Sequence, residues 1–123
     1  MREFWADIPG HVGEYQVSDL GRVRSLSRNV PRGKGTLPVK GRILKQFITN
    51  TGRLEVHLSH NGKWQHWLVH RLVATVFLPN PNNFPQINHL NGNPLDNRLA
   101  NLEWCNQSLN EIHKIHNLGV KNS

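Results

Sequence analysis

The chain has 123 residues, enough for one domain or two very small ones. Fifteen Lys and Arg stand against eight Asp and Glu, a formal charge of +7, and the isoelectric point lies near 10.4. That balance points to a polyanionic partner, most simply DNA or RNA, rather than to a charge that serves only solubility. Cys105 is the single cysteine, which excludes an intramolecular disulfide and a thiolate zinc knuckle and fits a reducing cytosol. Met1 to Asp7 lacks the apolar stretch of a signal peptide. The apolar run Leu72 to Leu78 is too short to span a bilayer, so no membrane role is expected.

Residues Glu3 to Leu26 predict a small β unit. Pro9-Gly10 marks a turn, Tyr15 to Ser18 alternates as a strand, and Asp19-Leu20-Gly21 marks a second turn. Arg22 to Leu26 alternates again, with Val23 inward and Arg22 and Arg24 outward. Those arginines serve phosphate contact or simple solvation. Ser27 to Gly41, rich in Arg, Lys, Gly and Pro, predicts a loop: a basic arm along DNA or a plain connection.

Arg42 to Leu68 predicts an antiparallel meander. Its strands are Arg42 to Thr49, Arg53 to Ser59 and Lys63 to Leu68, joined at Asn50-Thr51-Gly52 and at Asn61-Gly62, a strong hairpin signal. Trp64 and Trp67 are expected to pack rather than stack on bases. Val69, Leu72, Val73, Val76 and Phe77 form one helical stripe, so Val69 to Phe77 predicts a helix. Three prolines between Pro79 and Pro85 then enforce a loop.

The segment Gln86 to Asn110 is the most informative. A short strand should lead to His89, Asn91 to Pro94 should turn, and Asn97 to Trp104 should return as a second strand. Asn106 can cap a helix running from Gln107 to about Leu118. The order is β-β-α. The fold class expected is α+β: a small antiparallel β module and meander, then this ββα unit. Residues 1–48 are read as the β module with its basic loop, and 49–123 as the unit carrying the site, with its core at about 86–118.

One imidazole with oxygen donors nearby suits phosphodiester hydrolysis. A neutral histidine can deprotonate water near neutral pH, and a hard divalent ion can neutralise the phosphate and the leaving oxygen. His70 and Arg71 open the predicted helix, where they make either a phosphate grip or a structural link to the hairpin. No partner is evident for His11, His57, His60, His66 or His116.

Several segments together resemble the HNH endonuclease family, in the branch common among phages. They are Val69-His-Arg-Leu-Val73, Asn88-His-Leu-Asn-Gly-Asn93, Asn97, Asn101-Leu-Glu-Trp104 and Asn110. Trp5 to Gly10 and Tyr15 to Leu26 are also similar to the short module that often precedes this nuclease domain. The resemblance implies a ββα-metal, or His-Me finger, motif and a divalent-metal-dependent DNA endonuclease of the homing or free-standing type. It implies His89 as general base, Asn88 and Asn110 as metal ligands, and Asn101 as the residue whose amide ties the loop positioning His89. Leu102 and Trp104 would pack beneath the site. His113, three residues past Asn110 on one predicted helix face, is a further candidate ligand.

The expected ion is Mg2+, with Mn2+, Ni2+ or Zn2+ favoured if His113 ligates. In this family the residue before the base is often Asp, where this chain has Asn88. With Asn88 and Asn110 as ligands the site is expected to hold no carboxylate, so metal binding would draw on DNA phosphate. Double-stranded DNA is the expected partner, with His70, Arg71, Arg22, Arg24, Arg42, Arg53 and Arg98 as candidate contacts. The chain ends soon after the last predicted helix, so relaxed sequence preference is expected, with nicking by a monomer or paired cuts by a weak dimer. The implied location is the cytoplasm of an infected or host bacterial cell. Two other readings are a DNA-binding module that keeps the fold without catalysis, and a nuclease accessory of a phage packaging complex.

Overall fold

The structure is a computed structural model that describes residues 2–106. Asn110, His113 and the predicted helix from Gln107 lie outside the described residues. The rest is α+β, with short antiparallel strands around one helix.

The first sheet joins β1 (Trp5–Asp7), β2 (Tyr15–Ser18), β3 (Val23–Ser25) and β6 (Arg42–Ile43) in that order. Between β3 and β6 the chain leaves the sheet as a separate hairpin, β4 (Arg28–Arg32) with β5 (Gly35–Val39). The predicted loop over residues 27–41 is therefore a two-stranded ribbon. Both its faces are largely exposed, so no hydrophobic alternation marked it in the sequence. Gly33, at φ +59°, supplies the left-handed residue of its two-residue connection.

A second correction concerns Arg42 to Thr49, expected to be one strand. Its two ends belong to different sheets: Ile43 pairs with Arg24 of β3, whereas β7 (Phe47–Ile48) pairs with β8 (Leu54–His60). The bend between them is pinned to the first sheet. Leu44 donates its N–H to the Val23 carbonyl at 2.8 Å, and Gln46 Nε2 donates to the Gly21 carbonyl at 2.8 Å.

β8 continues into β9 (Lys63–Leu68) through Asn61-Gly62, with Asn61 at φ +52° and Gly62 at φ +77°, as a type I′ turn requires. Trp67 packs on the core as expected, but Trp64 is 68% exposed and packs on nothing comparable. α1 (Val69–Phe77) follows directly and buries Val69, Leu72, Val73 and Ala74. Burial of each larger side chain contributes roughly 1.5–3 kcal/mol, the main stabilisation for so short a helix.

One apolar cluster gathers these parts. It contains Ile8 just after β1, Tyr15, Val17 and Val23 of the first sheet, Val56 and Leu58 of β8, the inner face of α1, and Leu102. The helix is thus the floor on which both sheets and the last hairpin rest. Among the described residues, no helix is long and apolar enough to cross a membrane.

Candidate active site

The last described hairpin pairs β10 (Gln86–His89) with β11 (Leu102–Cys105), matching Asn88 with Glu103 and His89 with Leu102. β11 begins at Leu102, later than the expected Asn97. Residues 90–101 instead form a loop closed by a 3-10 turn at Leu99–Asn101. Asparagine side chains replace the missing ladder. Asn93 N–H donates to Asn91 Oδ1 at 2.8 Å, and Leu95 N–H to Asn93 Oδ1 at 3.0 Å. Carboxamides that mimic backbone partners favour turns over strands.

Asn101 closes this loop. Its Oδ1 accepts from the Asn91 N–H at 2.9 Å, and its Nδ2 donates to Asn91 Oδ1 and to the Asp96 carbonyl, both at 2.9 Å. Its own carbonyl accepts from Leu90 N–H at 2.8 Å. The loop is thereby fixed on the residue that follows His89.

His89 is only 9% exposed and sits at the end of β10. Its Nε2 lies 2.8 Å from Asn97 Oδ1. A carboxamide oxygen only accepts, so the Nε2 nitrogen donates and Nδ1 carries the lone pair. Nδ1 makes no hydrogen bond to the described residues. Asn97 is the partner that sequence reasoning left without a role. Its position eight residues past His89, inside an asparagine-rich turn, was the available signal.

Neighbouring strand residues face opposite ways, so Asn88 turns away from His89. It shares its face with Glu103, and Asn88 Nδ2 donates to Glu103 Oε1 at 3.1 Å. Cross-strand register thus places the Glu103 carboxylate beside Asn88. Glu103 and Trp104 line a groove of about 210 Å³ with Leu78, Asn80 and Phe84. Trp104 Nε1 donates to the Leu78 carbonyl at 3.0 Å, which ties β11 to the end of α1.

His70 is buried on α1, its ring centroid 5.3 Å from that of His89. Burial, the adjacent His89 and the charges of Arg53 and Arg71 hold its pKa down to about 4. At neutral pH it is an uncharged packing partner of His89, which favours the structural link over a cationic grip. Arg71 remains outside, donating to the Pro85 carbonyl at 3.2 Å and lying over the Trp104 ring.

The other candidate contacts differ in how free their charge is. Arg22 pairs with Glu3, and Arg98 grips Asp96 through two hydrogen bonds of 2.8 Å. The Arg98 guanidinium holds the Asp96 carboxyl well below the usual carboxylate range. Arg24 donates to Gln16 at 3.0 Å and lies 4.1 Å from the Trp5 ring centroid. Neither the Arg42 nor the Arg53 side chain makes a hydrogen bond or ion pair among the described residues.

Two family models match the chain in sequence. Residues 3–59 match the NUMOD4 motif, and residues 68–111 match an HNH endonuclease model. The chain belongs to the HNH endonuclease family. An uncharacterized HNH endonuclease of Acanthamoeba polyphaga mimivirus is 42% identical over 82% of this chain and 27% of its own length. The DNA endonuclease I-HmuI of Bacillus phage SP01 is 34% identical over 86% of this chain and 54% of its own. A solved structure of the HNH homing endonuclease I-HmuI, concerned with its DNA binding and cleavage, superposes with a TM-score of 0.74 at 31% identity. That match covers 98% of this chain and 62% of the other, so the HNH fold is common to both. The chain spans about a quarter to a half of the length of these curated relatives.

Proposed function

We propose that this HNH protein is a DNA endonuclease that hydrolyses phosphodiester bonds with His89 as general base. The observation that supports the reading is the His89–Asn97 hydrogen bond: with Asn97 Oδ1 as acceptor, Nε2 holds the proton and Nδ1 is the basic nitrogen. A water proton passes to Nδ1, and the hydroxide attacks phosphorus as the bond to the 3′ oxygen breaks. That oxygen then takes a proton from solvent. Asn101 acts indirectly, by fixing the loop beside His89.

A divalent ion would be held by Asn88 Oδ1 and the Glu103 carboxylate, next to His89 at the end of β10. Asn88 and Glu103 present an amide and a carboxylate side by side, and hard oxygen donors suit Mg2+. When bound, such an ion supplies charge neutralisation at the phosphate and the leaving oxygen. Asn110 and His113 stand as further ligands from the family resemblance, and a histidine ligand would shift preference toward Mn2+, Ni2+ or Zn2+. Double-stranded DNA is the substrate proposed, with Arg42 and Arg53 as the most available phosphate contacts and Arg22, Arg24, Arg71 and Arg98 as secondary ones. One His89 per chain implies that a monomer nicks one strand.

Single-turnover cleavage of a duplex labelled on each strand tests this. Wild type should cut one labelled strand with Mg2+. His89→Ala should lose the cut while binding the duplex with a Kd within about threefold, because it removes the base and no phosphate contact. Binding by wild type without cleavage under any divalent ion would favour the non-catalytic reading.

A further inference from the structure

Outside the hairpin that carries His89, the fold gathers three groups that are scattered in sequence. His11 and Glu14 lie on the turns between β1 and β2, and His60 ends β8 at the tip of the β8–β9 hairpin. Tyr15 locks these parts together: its hydroxyl oxygen accepts from the Ser59 N–H at 3.1 Å and lies 3.2 Å from Ser59 Oγ. One ligand atom each from His11, Glu14 and His60 falls within 4.8 Å of the others.

The protonation of His11 follows from its surroundings. Trp67 Nε1 can only donate, and it lies 3.2 Å from Gln65 Oε1, so that atom is the amide oxygen. His11 Nε2 lies 3.2 Å from the same oxygen and must also donate to it. In the neutral ring the lone pair is then on Nδ1. The His11 side chain is only 4% exposed, and its Nδ1 has no hydrogen-bond partner. It points at Glu14 Oε1, 3.5 Å away. A lone pair on a buried imidazole that faces a carboxylate oxygen calls for a cation between them.

His60 completes the arrangement. Its Nδ1 lies 2.8 Å from the same Glu14 oxygen, and its ring stands nearly perpendicular to that of His11, at 82°. Tetrahedral ligands about 2.0–2.1 Å from a zinc ion are about 3.3 Å apart. The 3.5 Å separation already meets that spacing, and the 2.8 Å hydrogen bond needs to open by roughly half an ångström when a metal replaces its proton. An outer amide oxygen that orients a ligating imidazole through its other nitrogen, as Gln65 does here, is the usual support of a metal-binding histidine.

We propose that His11, Glu14 and His60 form a binding site for a borderline transition-metal cation of the zinc class, separate from the nuclease site. Its role is structural: the ion clasps the turns before β2 to the tip of the β8–β9 hairpin. Two imidazoles and one carboxylate favour such an ion over magnesium. The site does not depend on the nuclease reading, since none of its ligands belongs to the hairpin carrying His89.

Metal-stripped full-length protein titrated with Zn2+ alone, followed by thermal melting, tests the proposal. Saturating Zn2+ should raise the wild-type Tm by roughly 5–10 °C, as expected for a ligand bound only by the folded state. His60→Ala, at a partly exposed position where folding should survive, should lose most of that shift. Glu103→Gln and His57→Ala should keep it, separating the site from the ion proposed at the nuclease centre and from the Glu55–His57–His66 group. Co2+ absorption in the visible should show a low-coordinate histidine site in wild type and weaken at least tenfold in apparent affinity in His60→Ala. No Zn2+ shift in wild type, or an undiminished shift in His60→Ala, would overturn the proposal.

Discussion

Gly21 lies against the backbone of Asn97: a Cβ on Gly21 would stand 3.0 Å from the Asn97 carbonyl oxygen. The turn between β2 and β3 is therefore the rest for the loop that holds His89. A second contact reinforces it, as Leu99 N–H donates to the Asp19 carbonyl at 2.8 Å. The N-terminal β unit thus supports the site physically.

Replacing Gly21 by Ala should act on both stability and catalysis. Its φ of +86° costs an L-residue about 1 kcal/mol, and the methyl group must push on the Asn97 backbone. We expect a loss of about 1–3 kcal/mol in urea unfolding and a fall in cleavage rate beyond the unfolded fraction. An unaltered rate at unaltered stability would show that the turn does not support the loop.

Asn97→Ala removes the acceptor that orients His89. Loss of the group that fixes a catalytic imidazole typically costs about 10²- to 10⁴-fold in rate. DNA affinity should stay within about threefold, since no phosphate contact is lost. Asn97→Asp keeps an acceptor oxygen and should recover a large part of the rate. Single-turnover kinetics of the two variants separate orientation from a simple packing defect.

Glu103→Gln should raise the Mg2+ concentration needed for half-maximal cleavage by about tenfold or more, because it removes the charged oxygen donor beside Asn88. Duplex binding in EDTA should not change. Identical Mg2+ dependence in wild type and variant would place the ion elsewhere.

His70 makes stability depend on pH in a defined direction. Its folded pKa is about 4, below the unfolded value near 6.5, so the unfolded chain takes up the proton first. The contribution is intact above pH 6.5 and is lost as pH falls from there through 4. Its full size is up to about 3 kcal/mol. His70→Gln should flatten the stability profile across that window in urea titrations at a series of pH values. A profile that keeps its slope in the variant would assign the titration to another group.

Where burial followed sequence period, the elements were readable in advance. α1 runs from Val69 to Phe77 as its apolar stripe requires, and Asn61-Gly62 makes the turn its dipeptide predicts. The ribbon over residues 28–39 was not legible because both faces meet solvent and no alternation is imposed. Arg42 to Thr49 reads as one strand, yet Leu44 and Gln46 bind partners in the first sheet and break it. The site shows the same division. His89 and Asn101 stand out in a local pattern, whereas the nearness of Glu103 to Asn88 depends on hairpin register. The His11–Glu14–His60 group depends on packing between sheets and leaves no trace in spacing.

The central claim is that His89 is the base of a metal-dependent nuclease. The most direct measurement is conversion of supercoiled plasmid by wild type and His89→Ala, each with Mg2+ and with EDTA. The account predicts open-circle product with wild type and Mg2+ only, and none with His89→Ala or with EDTA. Equal cleavage by His89→Ala, or cleavage undiminished by EDTA, would contradict it.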